Sequence, residues 1–328
     1  TQPGAKMPVQ PDPSCPVVDV LIPHYRDPDG LAQSLESIAT QDWLDPAAAA
    51  AQLRVIVLDD GSDPASLKQV KAHCARFRAQ SGQALDLVYE ARNRGRPYAR
   101  NRLLDLAQAP YLAWLDAGDL WYPRKLSVQF AHLAAAEAAG HVPERLWVSC
   151  AYDWDQHGRR VPRQQKVPDD PLLALLIGES LRAYLWTLLG RAEAFAIAGR
   201  FDPELPRLQD LDYFLTFLRA GGEITVPADP EPLCCYVKSD IGRDARAVAA
   251  SHARVVAKHA TCIQFYPRDT RARIRQKGPV LAARFARANG AHMLALQYLA
   301  MAILASPVRS LRLGSRQVVR RVRGAIGQ

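Results

Sequence analysis

The chain has 328 residues, 48% of them hydrophobic, and a net charge of +9, which suits one large α/β domain with an appendage better than a single small core. Its six cysteines form no CxxC pair and no His/Cys cluster at zinc spacing, which argues against a disulfide framework or structural metal and for a reducing, cytoplasmic location. The basic residues are not interleaved with aromatics, so nucleic-acid binding is not expected.

Residues 1–15 are polar and Pro-rich and read as a disordered leader rather than a signal peptide. Three short apolar runs follow, VVDVLI (Val17 to Ile22), LRVIVLD (Leu53 to Asp59) and YLAWLD (Tyr111 to Asp116). Such runs suit strands buried on both faces of a mainly parallel sheet. Between them LAQSLESIAT, PASLKQVKAHCARFRAQ and PYARNRLLDLAQA carry apolar residues at helical spacing, with Pro64 and Pro97 where a first-turn proline belongs. Strand and helix in alternation predict a doubly wound α/β domain, in which ligands collect beyond the carboxyl ends of the strands.

Further on, PRKLSVQFAHLAAAEAAG reads as a helix, RLWVSCAY as one strand and WDQHGRRVPRQQKVPDD as a mobile polar connection. QDLDYFLTFLRAGG reads as a helix opened by acids, which favour a helix N-terminus. From residue 241 to the end the chain is Arg- and Ala-rich with helical periodicity, a helical extension following a domain at 16–240. Its longest apolar stretch, Ala291 to Ser306, falls short of the ~20 residues a membrane span requires. From Arg309 onward there are six arginines and no acid, with Leu311, Val318, Val319 and Val322 at near-helical spacing. That composition suits an interfacial helix drawn to an anionic membrane surface, and a plain solvated helix equally.

The loops after the three strands, PHYRD (Pro23 to Asp27), DDGSD (Asp59 to Asp63) and DAGD (Asp116 to Asp119), place acids on one predicted sheet edge. Taken with N-R-G-x-x-x-A-R-N from Asn93 to Asn101, TLLGRAEAFAIAGRFDPEL and the QD pair at Gln209-Asp210, they resemble, in order, the motifs of the family 2 glycosyltransferases. The resemblance runs from Val17 to Tyr236. It implies a GT-A fold, a Rossmann-like α/β domain with a mainly parallel central sheet flanked by helices, here with the C-terminal helical extension. It further implies an inverting enzyme that moves a sugar from a UDP-, GDP- or dTDP-sugar to a glycan or lipid-linked acceptor, as in bacterial surface polysaccharide synthesis.

Carried over position by position, the resemblance puts Asp60 on the nucleobase, Pro23 and Tyr25 in the wall of the base pocket, and Arg96 or Arg100 facing the donor. Asp116 falls by the ribose, the diphosphate and a divalent cation, Mn²⁺ or Mg²⁺, of the kind that neutralises a leaving diphosphate. Asp210 falls where the family has its general base, with Asp212 in reserve. Lys238 and Arg243 lie on a loop that closes over the donor.

The sequence departs from the family pattern in three places. Arg26 replaces an Asn, Gln209 replaces a Glu, and Gly118 stands where the second acid of Asp-x-Asp belongs, with Asp119 next to it. Three readings of Gly118 follow: Asp119 is the second metal ligand, Asp116 and phosphates hold the cation alone, or arginines of RNRGRPYAR replace the cation. Gly118 and Gln209 also motivate a rival, a degenerate transferase fold that binds nucleotide or glycan without turnover. A nucleotidyltransferase would want a Gly-rich basic loop after the first strand, and PHYRDPDG is poor for that.

Overall fold

Runs of Val, Ile and Leu bounded by Pro, Gly and Asp build the centre of the protein. The structure is a computed structural model and describes residues 17–44, 52–156, 158–237 and 243–307. The expected leader and the Arg-rich tail from Arg309 lie outside the described residues, as does Lys238. The chain divides into two units: Thr1–Val167, Tyr184–Phe201 and Thr216–Val237 form the first, and Pro168–Ala183, Asp202–Leu215 and Lys238–Gln328 the second.

In the first unit β1 (Val18–His24), α1 (Pro28–Ala39), β2 (Leu53–Asp59), α2 (Pro64–Ser81), β3 (Ala84–Tyr89), α3 (Arg96–Leu106) and β4 (Tyr111–Trp114) alternate as expected of a wound α/β sheet. β5 (Leu120–Trp121), α4 (Lys125–Ala138), β6 (Leu146–Val148), β7 (Tyr152–Gln156) and β8 (Arg159–Arg163) follow. After α5 (Pro171–Ile177) of the second unit come β9 (Leu189–Arg191) and α6 (Ala192–Ala198). α7 (Gln209–Arg219) leads to β10 (Glu223–Thr225) and β11 (Cys234–Val237).

The main sheet has seven strands in the order β10-β6-β9-β4-β1-β2-β3. β9 is antiparallel to both neighbours and the other pairs are parallel. Gly190 in β9 is forced by close approach, since a Cβ there would stand 2.9 Å from the Leu146 carbonyl oxygen. A four-stranded sheet, β5-β11-β7-β8, lies in the same unit.

The parallel strands β1, β2 and β4 lie side by side, so the loops that follow them open on one edge. On one face, Val18, Val20, Ile22, Leu53, Val55, Val57 and Ala113 are buried in one core with Leu31, Leu35 and Ile38 of α1 and Val70, Cys74 and Phe77 of α2. Asp19 of β1 is fully buried and balanced by Arg54, whose Nε and Nη2 donate at 2.8 Å, and by the Gln108 and Ala109 N–H groups. Asp27 and Asp63 cap α1 and α2 ahead of first-turn prolines, the arrangement expected of a helix start.

Three elements differ from the sequence expectation. ALDLVY is an edge strand, β3. RLWVSCAY is broken at Ser149-Cys150 into β6 and β7, which belong to different sheets. The polar connection after Trp154 is largely an antiparallel hairpin, β7 with β8.

The second unit holds α8 (Ala245–Lys258), α9 (Ala260–Ile263), α10 (Arg268–Ala288) and α11 (His292–Ala305). α8, α10 and α11 pack through small residues and Phe285. The fit is close: a Cβ on Gly278 would stand 2.5 Å from the His252 ring. Burial, then the charge of Lys277, drives the His252 pKa down to about 4. Lys277 itself, donating to the Leu175 carbonyl at 2.9 Å, is pulled down to about 7 by burial and by Arg182.

Both folded pKa values lie below the ordinary values of 6.5 and 10.5, so the unfolded chain binds more protons and stability rises with pH through each window. The His252 contribution is complete above pH 6.5 and is lost toward pH 4. Thermal melts followed by circular dichroism are therefore expected to fall in Tm between pH 6.5 and 4, and His252→Gln to flatten that limb.

Candidate active site

The site is built outward from β2. Asp59 and Asp60, the first two residues of DDGS, are both buried. His24 at the end of β1 points Nδ1 at Asp59 Oδ2, 2.7 Å away, and its Nε2 accepts from the Asp27 N–H at 3.1 Å, so the imidazole proton sits on Nδ1. Burial pushes the Asp59 pKa up, but the hydrogen bonds from His24 and Ser62 more than offset it and the net shift is downward. Asp60 takes the N–H groups of Arg94 and Gly95 on its two oxygens, at 2.9 and 2.8 Å. There burial outweighs the hydrogen bonds and the pKa is raised.

Gly61 lets the two loops touch. Its φ is +76°, and a Cβ would stand 2.3 and 2.4 Å from the backbone of Arg92 and Asn93. DDGS and the Asn93–Gly95 turn are thus locked together, which fixes the start of α3.

Along α3, Arg100 is 1% exposed and directs Nη2 at both oxygens of Asp116, 3.2 and 3.3 Å away. Its guanidinium also lies 5.4 Å from the Phe201 ring centre. Arg96, half exposed, lies 3.8 Å from the same carboxylate. Asn101 clasps the backbone of Phe201 twice, accepting its N–H at 2.8 Å and donating to its carbonyl at 2.9 Å. The A-R-N and G-R-F-D pieces of the sequence are therefore one structural unit.

The loop carrying Asp116 and Asp119 is held by the polar face of α1. Ser34 Oγ accepts the Gly118 N–H at 3.0 Å and donates to the Asp119 carbonyl at 2.8 Å. Ser37 Oγ accepts from the Trp121 N–H, and Gln41 donates to the Tyr122 carbonyl and accepts from the Leu126 N–H. These three side chains went unnoticed in the sequence, although a run of Ser, Ser and Gln at three- and four-residue spacing on a buried helix was the available signal.

Gly118 has φ +93°, and a Cβ there would stand 3.2 Å from Asp27 Oδ2. The turn favours glycine, and the Asp27 carboxylate borders the space that a second acid would enter. Asp119, expected there as a metal ligand, is 5% exposed and accepts the Val237 N–H on Oδ1 at 3.2 Å, holding the end of β11. Among the described residues no group of three or more His, Cys, Asp or Glu is placed to hold a metal. Of the two loop carboxylates, Asp116 is turned to Arg100 and Arg96 and Asp119 to the Val237 N–H.

Of the other expected residues, Pro23 lies in β1 and Tyr25 follows its end, with Tyr25 exposed and Arg26 5.0 Å over its ring. Arg26 has φ +54° and donates its N–H to Ser62 Oγ. That left-handed conformation is one that Asn adopts more readily. Arg243 lies in the second unit, its guanidinium 5.5 Å from the Phe285 ring centre.

Also in the second unit, α7 opens after Leu208, a non-glycine residue at φ +59°. Asp210 is half-buried. Asp212, the reserve base, is 2% exposed between Lys258 Nζ at 2.7 Å and His259 Nε2 at 2.9 Å. Its carboxylate is committed to the helical unit.

The wound, mainly parallel sheet with carboxylates and arginines beyond its carboxyl edge is that of the GT-A fold. The sequence profile of Glycosyl transferase family 2 matches residues 19–195, more than half of the chain, and the protein belongs to that family. Among curated relatives, the glycosyltransferase YibD of Escherichia coli is 32% identical over 106 residues, covering 32% of this chain and 27% of its own. The amylovoran biosynthesis glycosyltransferase AmsB of Erwinia amylovora is 27% identical, covering 64% of this chain and 67% of its own. The chain spans only 27 to 37% of the length of the first curated relatives it matches. In fold it resembles the mannosyltransferase PcManGT of Pyrobaculum calidifontis, solved with GDP-Man and Mn²⁺, at TM-score 0.54 and 20% identity, over 97% of this chain and 84% of that one.

Two substitutions test the loop geometry. Ser34→Ala removes the acceptor for the part-buried Gly118 N–H and the donor to the Asp119 carbonyl, and is expected to cost about 0.5–1.5 kcal/mol for each bond lost. Gly118→Asp is expected to lower stability by about 1–2 kcal/mol through its positive φ. Both are read from urea melts, and an unchanged midpoint in either contradicts the geometry.

Proposed function

We propose that the protein transfers a sugar from a nucleotide-diphosphate sugar (UDP-, GDP- or dTDP-linked) to a hydroxyl of a glycan or lipid-linked acceptor, with inversion, in assembly of a bacterial surface polysaccharide. The observation that carries this reading is the convergence of Asp60, Arg96, Arg100 and Asp116 on one sheet edge in a chain of this family. The relative named for amylovoran biosynthesis and the fold neighbour solved with GDP-Man and Mn²⁺ support the pathway class and the donor class. The described cysteines are free thiols, which suits the reducing cytoplasm.

In this reading the base lies against Pro23 and Tyr25 and is read at Asp60. Arg96 and Arg100 face the diphosphate and stabilise the charge that builds on it as the sugar leaves. A divalent cation, held by Asp116 together with phosphate oxygens and water, would add Lewis-acid neutralisation there. Asp210 accepts the proton of the acceptor hydroxyl as its oxygen bonds to the anomeric carbon and the carbon–phosphate-oxygen bond breaks, its electron pair leaving with the diphosphate. One base and one displacement give inversion.

Asp210 and Asp212 separate chemistry from folding. With a panel of nucleotide sugars and glycan acceptors, Asp210→Asn is expected to lower nucleotide release at least about 100-fold in a variant that circular dichroism shows to be folded at the assay temperature. Asp212→Asn is expected to destabilise by about 1–3 kcal/mol, chiefly through the weakened buried contact with His259, since Lys258 keeps Asp202 3.5 Å away. Tight donor binding by the parent chain with no release in its presence would favour the non-catalytic binder.

A further inference from the structure

Helix α11 is apolar on every side. His292 and Gln297 are its only polar residues, a composition that ordinarily belongs to a helix enclosed by protein or lipid. Only one side of it is enclosed. Ala295 and Ala302 are buried, Leu294 and Tyr298 pack against α10 and α8, and the Ala302 carbonyl accepts from Gln276 of α10 at 2.9 Å. On the opposite side Met293, Leu296, Leu299, Ile303 and Leu304 are between 45 and 78% exposed. At 100° per residue these five fall within one arc of about 140°, with His292 at its N-terminal end and Met301, 52% exposed, flanking it. Large apolar side chains gathered on one exposed face mark an interaction surface, where scattered ones would not.

The charge around this helix says what covers the face. From Thr270 to Gln328 the sequence holds twelve arginines and lysines and no acid. Arg275, Arg284 and Arg287 of α10 are exposed, and the six arginines that follow Pro307 continue the bias. A second copy of the chain would bring an equal positive charge to the contact. An anionic bilayer supplies the opposite charge and an apolar phase together. At 14 residues α11 is too short to cross, and no described helix is long and apolar enough to span a membrane.

We propose that the exposed face of α11 inserts into the headgroup boundary of an anionic membrane, with the neighbouring arginines of α10 at the phosphates, and so docks the protein peripherally on lipid. This surface is separate from the proposed sugar-transfer site and does not depend on that reading.

The test is co-sedimentation of the full chain with phosphatidylcholine vesicles, with and without phosphatidylglycerol. It is repeated for Leu296→Gln/Leu304→Gln and for a chain ending at Pro307, and each form is also examined by sedimentation velocity. Both leucines are exposed, so the melting midpoint is expected to hold while binding to anionic vesicles falls at least about tenfold. The chain ending at Pro307 is expected to bind more weakly than the parent and to lose its remaining binding on the same double substitution. Equal binding by the double variant and the parent would overturn the proposal. So would a double variant that changes from dimer to monomer with vesicle binding intact, which would make a second copy the occupant. Complete loss on truncation with no effect of the double substitution would also overturn it, by assigning the attraction to the tail.

Discussion

The candidate site depends on one buried carboxylate. Asp60 holds the N–H groups of both Arg94 and Gly95, and each such charge-assisted bond is worth about 1.5–3 kcal/mol. That clamp sets the first turn of α3, and α3 sets Arg96, Arg100 and Asn101. Arg100 then meets Asp116 across the sheet edge, and Asn101 fixes Phe201, whose ring lies beneath Arg100. Gly61 is the condition for all of it, because any side chain there would strike the backbone of Arg92 and Asn93. A motif that reads as a turn is in effect the joint between the expected base-binding and diphosphate-binding loops.

The opposite wall of the site is held by hydrogen bonds that are not part of any helix or sheet. Ser34, Ser37 and Gln41 present buried polar groups to a loop whose N–H and carbonyl groups would otherwise go unmet. The loop can therefore be irregular and still rigid. It carries Asp116 toward solvent and the carboxylate of Asp119 inward to β11.

Much of this was legible in the sequence. β1, β2 and β4 are covered on both faces and so read as continuous apolar runs, and the caps and first-turn prolines marked the helices. β3 escaped because it is an edge strand with Asp86 and Tyr89 exposed, and the β7–β8 hairpin because Asp, Gln and Arg outnumber its apolar residues. That Asp60 and Asp116 share one edge was legible in the alternation of strands and helices, while Arg100, on α3, came only from the resemblance. The roles of Asp119 and Asp212 did not, since each is decided by a partner far away in sequence, Val237 in one case and Lys258 with His259 in the other. Gly118 was visible as a missing acid, and its positive φ supplies a backbone reason for glycine at that position.

On the proposed function this edge binds the diphosphate of a nucleotide sugar at Arg100 and Asp116. Calorimetric titration of the full chain with UDP, GDP, dTDP and CMP, each with and without Mn²⁺, tests it most directly when repeated on Asp116→Asn. The account predicts binding of at least one nucleoside diphosphate, stronger with Mn²⁺, and loss of that Mn²⁺ enhancement in the variant. Binding of none of the diphosphates, or an enhancement untouched by the substitution, would contradict it.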